Sequence, residues 1–437
     1  MNSLLKHLLI PLSYLLATAS PAIPEIQHWT TDNGTRVYFV AAPELPMIDL
    51  ECTFGAGSVR DQGQPGLAYL TNQLLNEGAG GLSAEQLAEK LDDVGAQLSL
   101  SSDRDSASIS LRSLNDAEPL SIALNTLRLM LSQAEFAQTP FARVQQQQLT
   151  RLKWQDQQPD SKIEKAFYQT VYGQHPYASP VGGTPESIAA LTPADLKRFY
   201  QRHYTANNAL IAMVGALDRE TAEKIAHQLA SALPTGEPLP PIPKVPPLTE
   251  PQTLHLDHPS TQTHLILGHL GVPRSDPDYF ALYLGNYILG GNGLVSQLAE
   301  EIREQRGLAY SVYSYFYPQK ETGVFLANLQ TRTDQTPLAL QLMTEKLRKF
   351  VEKGPSAEEL QKAKQSITGQ FPARIASNGK ILSYLSTIGF YELPLDYLQT
   401  YSQKIEALTL KDIQTAFQKH LNLNHLITVT LGESTPK

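Results

Sequence analysis

Residues 66–78 read GLAYLTNQLLNEG, and the function of the chain turns on them. Pro65 suits the first turn of a helix and Gly78 suits a stop. Between them Leu67, Leu70, Leu74 and Leu75 recur at the three/four spacing of a half-buried helix. Tyr69, Asn72 and Gln73 therefore share one helix face. A phenol and two neutral amides are poor metal ligands beside imidazole, and none is a general base near pH 7.

Outward from this helix, elements of both kinds alternate. Residues 29–42 read as a hairpin turning at Asn33-Gly34, and residues 47–54 (MIDLECTF) as a strand with one buried face. Helical patterns follow at 83–94 and 117–132, with paired strands at 97–102 and 106–111 between them. A long polar-faced helical region covers 141–172. A helix opened by Thr192-Pro193 leads to a closing strand at 209–214. Residues 234–251 then hold eight prolines, a stretch that favours extended polyproline geometry and excludes a helix or an inner strand. It reads as a tether between two halves.

The halves are repeats. Residues 188–196 (IAALTPADL) correspond to residues 405–413 (IEALTLKDI), and the same offset of 217 aligns Gln201 with Gln418, His203 with His420, Asn207 with Asn424 and Gly215 with Gly432. This is a whole-domain duplication rather than a short solenoid unit. Each copy runs strands, helix, strands, helices, strand, which suits an α+β fold of two homologous α/β-sandwich domains with helices against an antiparallel-rich sheet. The expected organisation is a signal peptide at 1–19, an N-terminal domain at 25–233, a linker at 234–251 and a C-terminal domain at 252–437.

Composition limits the partners. Residues 1–19 combine Lys6, an apolar run from Leu8 to Leu16 and Ala17-Thr18-Ala19, the pattern of a secretory signal. The run is too short, and broken by Pro11, to span a bilayer as a helix. Its removal leaves 34 Lys+Arg against 43 Asp+Glu, a net charge of −9, which disfavours nucleic acid and anionic membrane as partners. Cys52 is the only cysteine, alternating with Ile48, Leu50 and Phe54, so it reads as a buried thiol and no internal disulfide forms. Export without disulfides fits a periplasm.

The stretch 66–78 resembles the zinc helix of the pitrilysin/insulinase (inverzincin) metallopeptidases, in the manner of mitochondrial-processing-peptidase-like chains. The motif there is H-x-x-E-H, with two His holding zinc and the Glu activating water. Here those positions are the degenerate set Tyr69, Asn72 and Gln73. The family's third ligand is a distal Glu, and the matching helix at 141–155 holds no Asp, Glu or His. The resemblance implies two homologous domains facing each other as a clam shell, and no zinc in this chain.

The second half carries a positive motif. A Leu289-Gly290-Gly291 turn with Gly293 precedes a helix, and Arg303 stands seven residues before Tyr310 in REQRGLAY. Both resemble the family's C-terminal domain, where the Arg and Tyr contact substrate backbone and stabilise the tetrahedral oxyanion. A guanidinium supplies fixed charged donors and a phenol one donor on a stiff arm. Tyr313, Tyr315 and Tyr317 alternate along the strand after Tyr310 and either pave a sheet face or line a peptide groove. Arg306 reads as a solvated neighbour. His255, His258, His264 and His269 crowd one region, but in a strand each pair points to opposite faces, against a relocated metal site. His175 matches a structural segment of the family. The resemblance thus implies a periplasmic, non-catalytic subunit of a heterodimeric zinc peptidase. Arg303 and Tyr310 would be donated to an H-x-x-E-H-containing homologous partner that holds the zinc and cleaves peptides or unfolded protein. The alternative is an inert scaffold or peptide-binding protein of the same fold.

Overall fold

The computed structural model describes residues 23–433, so the expected signal segment lies outside the described residues. The first half holds strands β1 (Gln27–Thr30), β2 (Arg36–Ala41), β3 (Met47–Phe54), a two-residue pair β4 (Gly78–Ala79) and β5 (Leu82–Ser83), then β6 (Gln97–Ser102), β7 (Ala107–Leu114) and β8 (Ala209–Gly215). Its helices are α1 (Leu67–Gln73), α2 (Ala84–Asp92), α3 (Ala117–Ser132), α4 (Gln138–Gln155), α5 (Pro159–Tyr172), α6 (Pro185–Ala190), α7 (Pro193–His203) and α8 (Arg219–Ala230). The second half holds β9 (Gln252–Asp257), β10 (Gln262–Leu270), β11 (Ala309–Tyr317), β12 (Val324–Arg332) and β13 (Ile427–Gly432). Its helices are α9 (Tyr279–Asn286), α10 (Thr336–Lys353), α11 (Ala357–Arg374), α12 (Asn378–Phe390), α13 (Tyr397–Ala407) and α14 (Leu410–His420).

Two open sheets result, β1-β2-β8-β3-β7-β6 and β11-β12-β10-β13-β9. Each is mostly antiparallel, with one parallel pair: β2 with β8, and β13 with β9. The closing strand of each half is thus an inner strand, and β8 is buried along its whole length. The repeat is visible in detail: Thr192 caps α7 and Thr409 caps α14 by the same reciprocal hydrogen bonds, to Asp195 and Asp412. In both, a hydroxyl satisfies an orphan helix N–H while a carboxylate returns to the cap's own N–H.

Two local expectations are corrected. The helix begun at Leu67 ends at Gln73 rather than running on to Gly78, which at φ +152 starts β4 instead. The helical region at 141–172 is two helices, because Pro159 cannot continue α4 and opens α5.

The halves are joined by exchange. Each sheet carries its own half's helices on one face and a helix of the other half on the opposite face. α5 lays Ile163, Ala166, Phe167 and Val171 on Ile266, Leu326, Ile427 and Val429 of the second sheet. Its counterpart α12 lays Leu385 and Ile388 on Tyr38, Leu210, Ala212 and Val214 of the first. Both contacts are close enough to need glycine. A Cβ on Gly268 would lie 2.3 Å from the Phe167 ring, and one on Gly389 would lie 2.5 Å from the Leu210 side chain. Polar contacts repeat the pattern: His264 Nδ1 meets Asp160 at 2.7 Å, and Arg36 donates to the Gly389 carbonyl at 2.9 Å.

A buried carboxylate locks the seam. Asp105, in the β6–β7 turn, accepts from the Tyr177 hydroxyl, from the Lys320 backbone N–H at 2.7 Å and from the Tyr391 hydroxyl at 3.3 Å. Burial pushes its pKa up, and these hydrogen bonds oppose the shift. Residues 234–251 form no regular element. They run along the first half, where Pro240 O accepts from Arg60 and Pro243 O lies 2.9 Å from His175 Nε2.

Phe167→Ala removes the central side chain of the exchanged α5. Loss of a fully buried Phe costs about 3–5 kcal/mol, so the unfolding free energy extrapolated from urea titration should fall by an amount of that size. A loss under about 1 kcal/mol would show that the exchanged helix does not hold the halves together.

Candidate functional site

The degenerate helix α1 is well anchored. Both Asp61 carboxylate oxygens accept backbone N–H bonds at its start, from Gly66 and Ala68 at 2.8 Å. Its inner face is filled by Leu67, Leu70 and Leu74. Asn72 is fully buried, and its Nδ2 donates to the Ser108 carbonyl at 3.1 Å and the Tyr204 hydroxyl at 3.4 Å. Gln73 Nε2 lies 3.5 Å from Asn72 Oδ1. The Tyr69 hydroxyl accepts from Arg151 Nη1 at 2.6 Å. Arg151 comes from α4, the helix that by resemblance would carry the third ligand. Arg143 of the same helix pairs with Glu77.

These residues do not fit zinc. The donor set is one phenol and two amides, with Asn72 and Tyr69 already engaged and a guanidinium where a dication would need an anion. Arg151 was legible in the sequence as part of an acid-free helix, but its reach to Tyr69 was not.

In the second half, one wide π-type turn at Tyr287–Gly291 contains the glycine turn and a second at Ala299–Glu304 follows it. Asn286 and Ser314, both buried, bond each other twice and fix the first turn against β11. Gly307, at φ +61, reverses the chain after the second turn: its N–H bonds the Arg303 carbonyl at 3.0 Å, and Leu308 N–H bonds Ile302 O at 2.9 Å. That left-handed glycine cap turns the chain from Arg303 into β11.

Tyr310 falls where the β11–β12 register slips between Ala309 and Val312. One extra residue sits there, a bulge that re-aims a side chain out of the ladder. Tyr310 is 89% exposed as a result, and the Arg303 guanidinium carbon lies 5.7 Å from its ring. Arg303 also touches Glu304 at 3.2 Å. The fold therefore brings Arg303 and Tyr310 together. Arg306 pairs with Glu301, which also holds Lys346. Leu294 and Val295, at the tip of the glycine turn, are 70% and 76% exposed.

Tyr313, Tyr315 and Tyr317 stack in sequence with ring centres 6.0 and 5.5 Å apart, and Tyr315 packs on the cluster between the halves. β11 is an edge strand of its sheet, as β6 is of the first. Among the crowded histidines, His264 pairs with Asp160, and His269 Nδ1 lies 2.8 Å from Leu270 O. The cluster that does gather metal-type ligands is one the sequence did not suggest: Asp276, Asp278 and His420. Lys419 already donates to Asp278 at 2.7 Å and His420 Nε2 lies 2.8 Å from it, so this is an ion-pair group joining α14 to α9.

Comparison with known proteins agrees with this geometry. Residues 37–185 match the family model described as insulinase (peptidase family M16), and residues 190–367 match the peptidase M16 inactive domain. A crystal structure of a peptidase M16 inactive domain from Pseudomonas fluorescens is 38% identical, with a TM-score of 0.91, covering 94% of this chain and 98% of that one. The chain belongs to the M16 (insulinase) family. A further relative, the non-peptidase homolog YmxG of Helicobacter pylori, is 29% identical over 395 residues, 87% of this chain and 88% of its own. The structure of a protease from Helicobacter pylori shares the fold, with a TM-score of 0.87 at 19% identity over 94% of this chain and all of that one.

Writing the motif back should not restore the site. The triple variant Tyr69→His, Asn72→Glu, Gln73→His should still bind zinc weakly, with no distal carboxylate and with Arg151 against position 69. Equilibrium dialysis showing one zinc held through a chelator wash would mean that another ligand completes the site.

Proposed function

We propose that this chain is the non-catalytic subunit of a two-subunit periplasmic metallopeptidase. On this reading it holds no zinc and lends Arg303 and Tyr310 to a homologous subunit bearing H-x-x-E-H. The pair cleaves peptides or unfolded segments. The observation that carries the reading is Tyr310: a phenol 89% exposed on a strand bulge, beside a guanidinium, with no hydroxyl partner among the described residues. Neither group is needed where it stands for packing. Both are donors of the kind that a developing oxyanion needs. The names of the Pseudomonas and Helicobacter relatives, an inactive domain and a non-peptidase homolog, support the non-catalytic part. The periplasmic part rests on the signal-like residues 1–19.

The division of labour follows from chemistry. The partner supplies the metal and the base that activate water. Arg303 and Tyr310 donate hydrogen bonds to the substrate carbonyl, and these strengthen as its oxygen takes up negative charge. An extended substrate segment would lie along an unpaired edge, where main-chain hydrogen bonds bind any sequence and alternate side chains select.

In the reconstituted pair, Tyr310→Phe and Arg303→Ala should assemble normally, because neither side chain is buried. Cleavage of an unfolded substrate should fall by about 10²–10³ for loss of one well-placed donor, in kcat more than in KM. Arg306→Ala is the control and should do little. If both variants assemble and cleave like the parent pair, the two residues are not part of the machinery and the inert-scaffold reading replaces this one.

A further inference from the structure

A cavity of about 690 Å³ lies between the turn at 58–65, residues 173–184, the end of α7 and the linker prolines. It shares no residue with the Arg303–Tyr310 site. Ser58 and His203 line it and are each 1% exposed, yet Ser58 Oγ and both His203 ring nitrogens have no hydrogen-bond partner among the described residues. Arg60 Nε and Ser179 Oγ, on the same walls, are likewise buried and unpartnered. Buried polar atoms are nearly always satisfied, and each that is not carries a desolvation penalty. Four such residues around one cavity are therefore an unusual concentration.

The local field is positive. Arg60 and Arg202 both line the cavity, and the His203 pKa is pushed down to about 4, first by burial and then by these two guanidinium groups. The ring is neutral at neutral pH and has one N–H to give. Asp61 is the one carboxyl group on the walls, and both its oxygens are spent on Gly66 and Ala68 at the start of α1.

The second half provides an internal comparison. His203 stands at the repeat offset of 217 from His420. There His420 Nε2 lies 2.8 Å from the Asp278 carboxylate. In the first half Asp61 is spent on the start of α1, and His203 has no anionic partner among the described residues.

We propose that this cavity binds a phosphate group. The donors sit on three separate segments, at 58–60, 179 and 202–203, and so approach from several directions. A tetrahedral oxyanion offers three or four acceptor oxygens to such a set, whereas a planar carboxylate offers two. The serine hydroxyls can turn about χ1 towards it, and the exposed Arg202 guanidinium on the same wall supplies the charge. The volume beyond one phosphate admits a small ester carrying it. The linker carbonyl of Pro240 already accepts from Arg60 Nη1, so a bound phosphate would also fix the linker to the first half.

The test uses the full mature chain and thermal unfolding. Inorganic phosphate and glycerol 3-phosphate are titrated separately, with sodium chloride at matched ionic strength as the control. A saturable rise in Tm of roughly 2–4 °C is expected at a hundredfold excess over Kd. A rise with both probes, tighter for glycerol 3-phosphate, identifies an ester. A rise with inorganic phosphate alone identifies the free anion, and both outcomes support the phosphate site. The rise should vanish in Ser58→Ala/Ser179→Ala and shrink in Arg202→Gln, whose exposed position leaves folding untouched. A rise that chloride reproduces, or one that survives unchanged in both variants, overturns the proposal.

Discussion

The exchange of α5 and α12 across the two halves is the constraint on which the rest depends. A sheet needs cover on both faces unless one of them is polar. Here neither half covers its own second face. The first sheet borrows α12 and the second borrows α5, so neither half is complete alone. Gly268 and Gly389 mark the closest points of this contact, where any side chain would collide with the borrowed helix or the sheet beneath it. Asp105 adds a polar lock whose donors come from both halves, and its burial makes the loss of any donor costly. The duplication therefore yields one interlocked unit rather than two beads on a proline string, and the linker lies against that unit instead of spanning a gap.

With the frame fixed, the two candidate sites diverge by what their polar groups are doing. At α1 the polar groups of Asn72 and Tyr69 are used inside the chain: Asn72 on Ser108 and Tyr204, Tyr69 on Arg151. These bonds convert a metal site into ordinary core and surface. At β11 the opposite holds. The Gly307 reversal and the register slip after Ala309 spend backbone regularity to hold Tyr310 in solvent beside Arg303. A bulge and a left-handed turn that deliver an exposed phenol with no hydroxyl partner among the described residues beside a guanidinium are hard to explain by packing, which is why the reading places the chemistry at an interface with another subunit.

Much of this was legible in the chain. The strand at Met47–Phe54 and the helix at Ala117–Ser132 follow from period-two and period-3.6 patterns, and the repeat follows from the 188–196 and 405–413 match. The proximity of Arg303 and Tyr310 was expected from their spacing, and the structure brings them together. What was not legible is long-range. Periodicity shows that α5 has an apolar face, but not which sheet it meets. The bulge at Tyr310 depends on the register against β12, which no local pattern records. The end of α1 before Leu75 was missed because Leu74 and Leu75 keep the helical spacing while the backbone has already left it. The cavity at His203 was invisible for the same reason: Ser58, Ser179 and His203 meet only through the fold. The offset pairing of His203 with His420 was present in the sequence, but its meaning needed the two different partners.

The central claim is that metal and donor pair are divided between two chains. Zinc stoichiometry tests it most directly, by elemental analysis of this chain purified alone and of its purified complex with an H-x-x-E-H subunit, each after a chelator wash. The account predicts no stoichiometric zinc in this chain and one zinc per complex. One zinc retained by this chain alone, or two per complex, would contradict it.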